Sequence, residues 1–345
     1  MKTMFCLVSR QAMANVLPVL MYKPKQVVLF STKEEKKTAN NLEKLFTSKS
    51  INVKKIEDLN AYDFIGFKNV VNKEINDYSN EVSLNITGGT KLMALAAYEA
   101  FAEKNLRIIY CDTEHQNIIT LLPEYKIEKL IANLSVNDYL ISYGYKIKET
   151  KSTLLVDKYF PLFDFILEKN LMNEFILLFA EIRSKQAEDY PKITISSKNK
   201  NFVFYKNFDT YSIQYNNTIK KTISFKSSEF KSGDWLEYFV FYILKKKYNL
   251  DPLTGVKIIS DENVENEIDV LVLKNYMLYN YSCKSGKSDN QYDLFQLETL
   301  TNITSGTFGK GIFVSAKKGT KRFLERAKEL NIKTINVANN NEEFI

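Results

Sequence analysis

The sequence predicts an α/β protein in which a parallel, doubly wound sheet is followed by a second α/β unit. Two observations carry this: short apolar runs alternate with amphipathic helical stretches through the first third of the chain, and the same alternation resumes near its end. At 345 residues the chain is long enough for two domains, each with a core of its own.

Residues 4–9 (MFCLVS), 26–30 (QVVLF), 52–56 (NVKKI), 81–87 (EVSLNIT) and 106–112 (LRIIYCD) read as strands. The amphipathic stretches 33–48, 60–77 and 90–104 lie between them, which sets the alternation that a parallel sheet needs. Residues 117–122 (NIITLL) add an edge hairpin. From 135 to 188 the pattern predicts helix, and 201–225 predicts short strands with Asn-rich turns, notably Asn216-Asn217. From 227 onward the expected order is helix, strand, hairpin, helix, strand, helix, strand. The resulting division is 1–134, a connector or insertion over 135–226, and 227–345.

Composition narrows the chemistry. Hydrophobic residues at 45% and charged residues at 26% describe an ordinary soluble globular chain. A net charge of +7 permits polyanionic partners without selecting one. The aromatic share of 13% serves the core and leaves rings over for stacking on bases. Cys6, Cys111 and Cys283 have no CxxC spacing, so neither a disulfide framework nor a structural zinc site is expected. The apolar N-terminal stretch is interrupted by Arg10, Gln11 and Asn15, which argues against a signal peptide. No apolar run approaches the roughly eighteen residues of a membrane span, and a cytoplasmic location is expected. His115 is the single histidine, so triad and paired-histidine chemistries are severely restricted and catalysis must rest on carboxylates, lysine, hydroxyls or metal.

Two strand-to-helix loops stand out. Ser9-Arg10-Gln11 leads into a helix bearing Asn15, and Asn85-Ile86-Thr87-Gly88-Gly89-Thr90-Lys91 leads into another. Doubly wound sheets bind ligands outside the carboxyl ends of their strands. Gly88 and Gly89 let the backbone approach a phosphate, the following helix offers free N–H groups, Lys91 adds charge, and Thr87 and Thr90 add hydroxyls. The GxxxxGK[ST] spacing of a Walker A loop is absent.

The segments LVSRQAMANVLPVL (7–20) and NITGGTKLMALAAYEAF (85–101) resemble the CARF domain, the Rossmann-like ligand sensor of type III CRISPR ancillary effectors, over roughly the first 130 residues. The resemblance implies a homodimer that binds cyclic tetra-adenylate across its two-fold axis. Ser9, Arg10, Gln11, Asn15, Thr87, Gly88, Gly89, Thr90 and Lys91 would line that site, with Met93 and Asp112 beside them.

In the last part of the chain, Glu237 sits in an apolar helix, WLEYFVFYIL (235–244), where a carboxylate is costly unless a cation or water meets it. Residues 268–273 and 277–284 read as a hairpin turning at Asn275 and Tyr276. That register sets Asp269 opposite Ser282 and Glu267 opposite Lys284 on one face, with Ile268, Val270, Val272, Tyr279 and Tyr281 on the other. An ordinary cross-strand ion pair between Glu267 and Lys284 is the plainer reading of the same pattern. Helix Glu, strand Asp, then a strand ending in x-x-Lys resembles the PD-(D/E)XK nuclease core, a restriction-endonuclease-like α/β domain. Together with GTFGKGIFVS (306–315) it resembles the nuclease half of CARF-fused effectors.

This resemblance implies that Glu237, Glu267 and Asp269 hold Mg²⁺ or Mn²⁺ and that Lys284 orients water or stabilises charge on phosphorus. Lys287, Lys310, Lys317 and Lys318 would hold the phosphate backbone of DNA or RNA, single-stranded or nicked as duplex. Ser282 departs from the pattern, which wants an acid there, and a hydroxyl is a poor ligand for a hard divalent cation. The alternatives are a CARF protein with a silent nuclease half, a ring nuclease acting through Lys91, Thr90 and Ser9, and a CARF transcription regulator. A HEPN ribonuclease is excluded because no histidine follows His115.

Overall fold

The computed structural model describes residues 2–78, 81–184, 192–196, 202–207, 210–215, 218–224, 233–286, 289–339 and 342–345. The first strand, β1 (Thr3–Leu7), is buried along its whole length, as a central parallel strand covered on both faces must be. Its two faces part with period two: Met4 and Cys6 enter one core, Phe5 and Leu7 another. Helix α1 (Met13–Tyr22), strand β2 (Gln26–Phe30), helix α2 (Lys36–Ser48) and strand β3 (Asn52–Ile56) build outward on one side of β1. Helix α3 (Phe64–Asn76) then carries the chain back to β4 (Val82–Asn85), which pairs parallel on β1's other side. Helix α4 (Lys91–Ala102) and β5 (Arg107–Asp112) follow, and β6 (Asn117–Leu122) and β7 (Lys126–Lys129) close the edge antiparallel. Among the described residues the sheet order is β3-β2-β1-β4-β5-β6-β7, so the winding reverses between β1 and β4.

Helix α1 is apolar around its circumference because it is covered twice. Val16, Leu17 and Leu20 share one core with β1 and with Val256, Ile258, Leu271 and Leu278 from the last part of the chain. The two halves are therefore joined by a continuous apolar layer, with Lys37–Glu262 and Lys44–Asp261 ion pairs at its rim.

The expected helix over 135–188 is broken by a strand. Ser135 and Asp138 form a capping box at the start of α5 (Val136–Ser142). The chain reverses at Gly144 (φ +85°), and β8 (Tyr145–Glu149) follows. A Cβ at Gly144 would stand 2.9 Å from Asn41 Nδ2, so this turn needs glycine. Helices α6 (Thr153–Asp157), α7 (Phe160–Glu168) and α8 (Met172–Ser184) come next. The strands expected over 201–225 belong to an antiparallel sheet of β9 (Lys192–Ser196), β10 (Phe202–Asn207), β11 (Thr210–Tyr215) and β12 (Thr218–Ser224). The Asn216-Asn217 turn lies outside the described residues.

The final part follows the expected order: α9 (Asp234–Lys246), β13 (Leu253–Ser260), β14 (Glu265–Lys274), β15 (Met277–Lys284), α10 (Gln291–Ser305), a 3₁₀ turn (Gly306–Phe308), β16 (Gly309–Ser315), α11 (Lys321–Glu329) and β17 (Lys333–Asn336). Its sheet runs β17-β16-β15-β14-β13-β8 among the described residues. Strand β8 is thus an edge strand of this second sheet rather than part of a free connector. Residues of α6, α7 and α8 pack into the same core as α9, with Phe175 and Phe179 against Trp235.

Candidate functional site

The loops after β1, β2, β3 and β4 enclose a cavity of about 740 Å³ at the carboxyl edge of the first sheet, where the winding reverses. Ser9, Arg10, Gln11, Gly89, Thr90 and Met93 line it, together with residues 32–35 and 59–62. Thr90 caps α4, its Oγ1 accepting from Met93 N–H at 3.3 Å and donating to Ala61 O at 3.2 Å. Arg10 is 88% exposed and lies 3.6 Å from Glu35, a weak surface pair that leaves the guanidinium free to turn toward an anion. Lys91 is exposed in the first turn of α4, where the helix dipole also favours negative charge.

Five expected ligand residues, Asn15, Thr87, Gly88, Lys91 and Asp112, do not line the cavity, and three of them are engaged elsewhere. Asn15 is fully buried, its Nδ2 donating to Leu7 O at 2.8 Å and its Oδ1 accepting from Asn85 Nδ2 at 2.9 Å. Thr87 Oγ1 donates to Asn85 Oδ1 at 2.6 Å and accepts from Cys111 N–H at 2.7 Å. Asp112 accepts from His115 N–H and ring, closing the turn after β5. Asn15, Asn85 and Thr87 tie the ends of β1, β4 and β5 together, whereas Asp112 serves only its own turn. Asn85 is the hub of this clasp, and only its polarity inside an apolar strand marks it in the sequence. Gly88 is required by contact: a Cβ there would stand 2.1 Å from Leu7 O. Gly89 has φ +76°.

The second site lies at the β14–β15 hairpin. Asn275 and Tyr276 both have positive φ, the signature of a two-residue I′ turn. The ladder then runs in the predicted register from Lys274–Met277 to Val270–Tyr281. It stops one pair short of Asp269. There the Asp269 carboxylate itself accepts the Cys283 N–H at 2.6 Å. The expected Glu267–Lys284 pair is not made. Glu267 is exposed and opposes Lys257 on β13, while Lys284 Nζ stands 3.9 Å from Asp293 on α10. Ile268 also leaves the face it was expected to share with Val270, Val272 and Tyr281, joining Leu271 and Leu278 in the other core.

Glu267, Asp269, Ser282 and Lys284 nevertheless line one cleft of about 170 Å³, closed on its far side by Asp293, Gln296, Leu297 and Leu300 of α10. Burial raises the pKa of Asp269, opposed by the Cys283 N–H and the Lys284 charge, and Glu267 adds to the rise. Glu237 does not line this cleft. Its carboxylate is held by Lys151, 2.9 Å from Nζ, with Asp234 at 3.3 Å from the same nitrogen. Even so, burial and the nearby Asp269 charge push Glu237 up to about 7. The three acids expected around one ion are therefore not gathered, and among the described residues no group of three or more His, Cys, Asp or Glu side chains is placed to hold a metal.

Lys317 and Lys318 follow β16 at the edge where Lys284 emerges, as a backbone-binding role requires. Lys310 is opposite Tyr279, five residues from Lys284 along β15, or about 16 Å at the rise of a strand, so it belongs to the other end of the sheet. Lys287 lies outside the described residues. Sequence reasoning missed Lys151 and Asp293. Asp293 follows the N-cap Asn290 by one turn, a legible position, whereas Lys151 sits in an unremarkable polar run.

Residues 3–139 match the family model described as the Card1 CARF domain, and residues 226–342 match the Card1-like endonuclease domain. Among solved structures, Can2 from Sulfobacillus thermosulfidooxidans in complex with cyclic tetra-adenylate is similar in fold, with TM-score 0.76, 22% identity, and 97% of this chain and 95% of that one covered. Protein VC1899 from Vibrio cholerae follows at TM-score 0.74 and 17% identity, covering 97% of this chain and 94% of that one. A type III CRISPR defence DNA nuclease activated by cyclic oligoadenylate superposes with TM-score 0.59 at 16% identity, covering 92% of this chain and 49% of that one. At these identities the likeness is one of fold. No curated protein matches the chain significantly in sequence.

Proposed function

Since the chain belongs to the family of CARF-domain nucleases, we propose that it is an endonuclease whose activity is switched on by cyclic tetra-adenylate bound in the first cleft. The reading includes dependence on Mn²⁺ or Mg²⁺, a DNA or RNA substrate, and a role in type III CRISPR antiviral defence in the cytoplasm. The observation that carries it is the physical connection between the two clefts. Gln11, which lines the first, accepts Thr307 N–H at 3.4 Å and Tyr143 O–H at 3.5 Å through its Oε1. Thr307 follows Gly306, the C-cap of α10, and the same helix presents Asp293, Gln296, Leu297 and Leu300 to the second cleft. A ligand that moves the β1 loop thereby bears on a rigid rod ending beside Lys284.

Burial raises the pKa of both Asp269 and Glu237, and Asp269 and Glu267 present hard oxygens to one cleft. That donor chemistry suits a divalent cation, which Asp269 and Glu267 would hold, with Glu237 joining on release from Lys151. Such a cation, when bound, would polarise a phosphodiester and acidify water. Within the protein, the Cys283 N–H fixes the Asp269 carboxylate, and Asp293 steadies the Lys284 ammonium that would meet the phosphate.

A homodimer is part of the proposal. Leu92, Leu95 and Tyr98 are exposed along one face of α4, immediately after Lys91, and offer an apolar contact beside the ligand cleft. A silent nuclease half is the second reading, favoured by Ser282 in the place of an acid. Cleavage of plasmid and single-stranded DNA and RNA with Mn²⁺, with and without cyclic tetra-adenylate, tests the proposal. Activator-dependent cutting is expected; ligand binding with no cutting that Ser282→Glu restores would identify a silent form.

A further inference from the structure

Lys151 belongs to neither matched segment, yet its side chain is built against Glu237, the acid expected at the second site. Two residues before it, β8 ends as the edge strand of the nuclease sheet, and the Lys151 N–H donates to Thr254 O at 3.0 Å. Its stem crosses Gly255, where an added Cβ would stand 2.7 Å from Lys151 Cγ, so only glycine lets the stem pass. Its ammonium reaches Glu237 at 2.9 Å and Asp234 at 3.3 Å and lies 5.2 Å from the centre of the Tyr238 ring. Five neighbours from α9 and β13 thus fit one lysine that follows the strand linking the halves. Upstream, α5 packs in the core that α1 and α2 of the sensor share with the second sheet.

We propose that Lys151 is a positioning residue of the nuclease site, whose ammonium competes with the divalent cation for Glu237. Glu237 then binds the cation more tightly where Lys151 withdraws. This rests on the metal-dependent nuclease reading. The charge logic is direct: an ammonium 2.9 Å from one Glu237 oxygen occupies a lone pair there and repels a second cation brought to the same carboxylate. Because β8 is contiguous with α5, a shift of the sensor would pull on the edge strand that precedes Lys151, which gives activation a route to Glu237.

The test is a calorimetric titration of the full chain with Mn²⁺ alone, without activator or nucleic acid. Lys151→Met keeps the stem and removes the charge; it should tighten Mn²⁺ binding about tenfold, the size of one charge-assisted hydrogen bond. Lys151→Arg should stay near the parent. In a Glu237→Gln background, Lys151→Met should change the affinity by less than about twofold, as a coupled pair requires. Gly255→Ala, which displaces the stem with its charge intact, should act in the direction of Lys151→Met and decides the matter if that variant folds poorly. Unchanged or weaker binding by Lys151→Met and Gly255→Ala would overturn the proposal and leave the nuclease reading standing. Equal tightening in the Glu237→Gln background would also overturn it, as a diffuse field effect. No Mn²⁺ binding by the parent would overturn the metal-dependent reading itself, and this proposal with it.

Discussion

The first cleft is made of backbone and the second of side chains. In the first, strand ends, two glycines and a helix N-terminus set the shape, and the buried Asn15–Asn85 clasp fixes the loops before any ligand arrives. In the second, Asp269, Lys284 and Asp293 come from three different elements, and Lys151, from the loop after β8, pairs with Glu237 of α9 nearby. The first site takes its shape largely from its loops, while a site of paired charges depends on where its elements sit. That contrast suits a sensor and the enzyme it governs.

Substitutions can break the contrast, the largest first. Asp269→Asn should lower cleavage at least about a hundredfold, as loss of a group acting on the transition state does, while cyclic tetra-adenylate affinity measured by calorimetry stays unchanged. A loss of ligand affinity would mean that the two clefts are not separable. Gly88→Ala is the converse. Its Cβ would stand 2.1 Å from Leu7 O, so the loop must move at a cost of about 1–3 kcal/mol, seen as a lower melting temperature and weakened activator binding. Mn²⁺ affinity should be untouched.

A smaller change probes the connection. At Gly306, with φ +55°, an added Cβ would stand 2.9 Å from Gln11 Oε1, so Gly306→Ala should raise the activator concentration for half-maximal cleavage by about tenfold, within the usual range of coupling energies. Direct activator binding should change much less; an equal change in both would place Gly306 in the ligand site itself.

The smallest effect is in pH. Glu237 is pushed up from 4.5 to about 7, so between those values the folded chain holds a proton that the unfolded chain has released. Stability of the metal-free protein should therefore fall as pH rises through that window, and Glu237→Gln should flatten the slope in thermal melts. An unaltered slope would show that Glu237 is not the strained group.

These differences also explain what the sequence made legible. Both domains, the β1 and β4 loops and the hairpin register through Val270–Tyr281 follow from periodicity and turn chemistry, which are local. The β8 strand was hidden inside a stretch whose neighbours on both sides are helical, and its YKIKE alternation is only five residues long. The ion pairs were hidden for another reason: Lys284 meets Asp293 of α10, an element outside the hairpin, whereas hairpin spacing alone favoured Glu267. Lys151 meets Glu237 across 86 residues, a distance that no local pattern spans. Asn15 and Thr87 looked like ligand residues because a polar side chain beside a glycine loop reads the same whether it faces the cavity or braces it.

The claim at the centre is that occupancy of the first cleft governs chemistry at the second. The most direct measurement is the initial rate of nucleic-acid cleavage by the full chain with Mn²⁺ as cyclic tetra-adenylate is titrated. A rate that rises from near zero and saturates where calorimetry shows the ligand site filling is the expected result. Cleavage at one constant rate across the titration would contradict it.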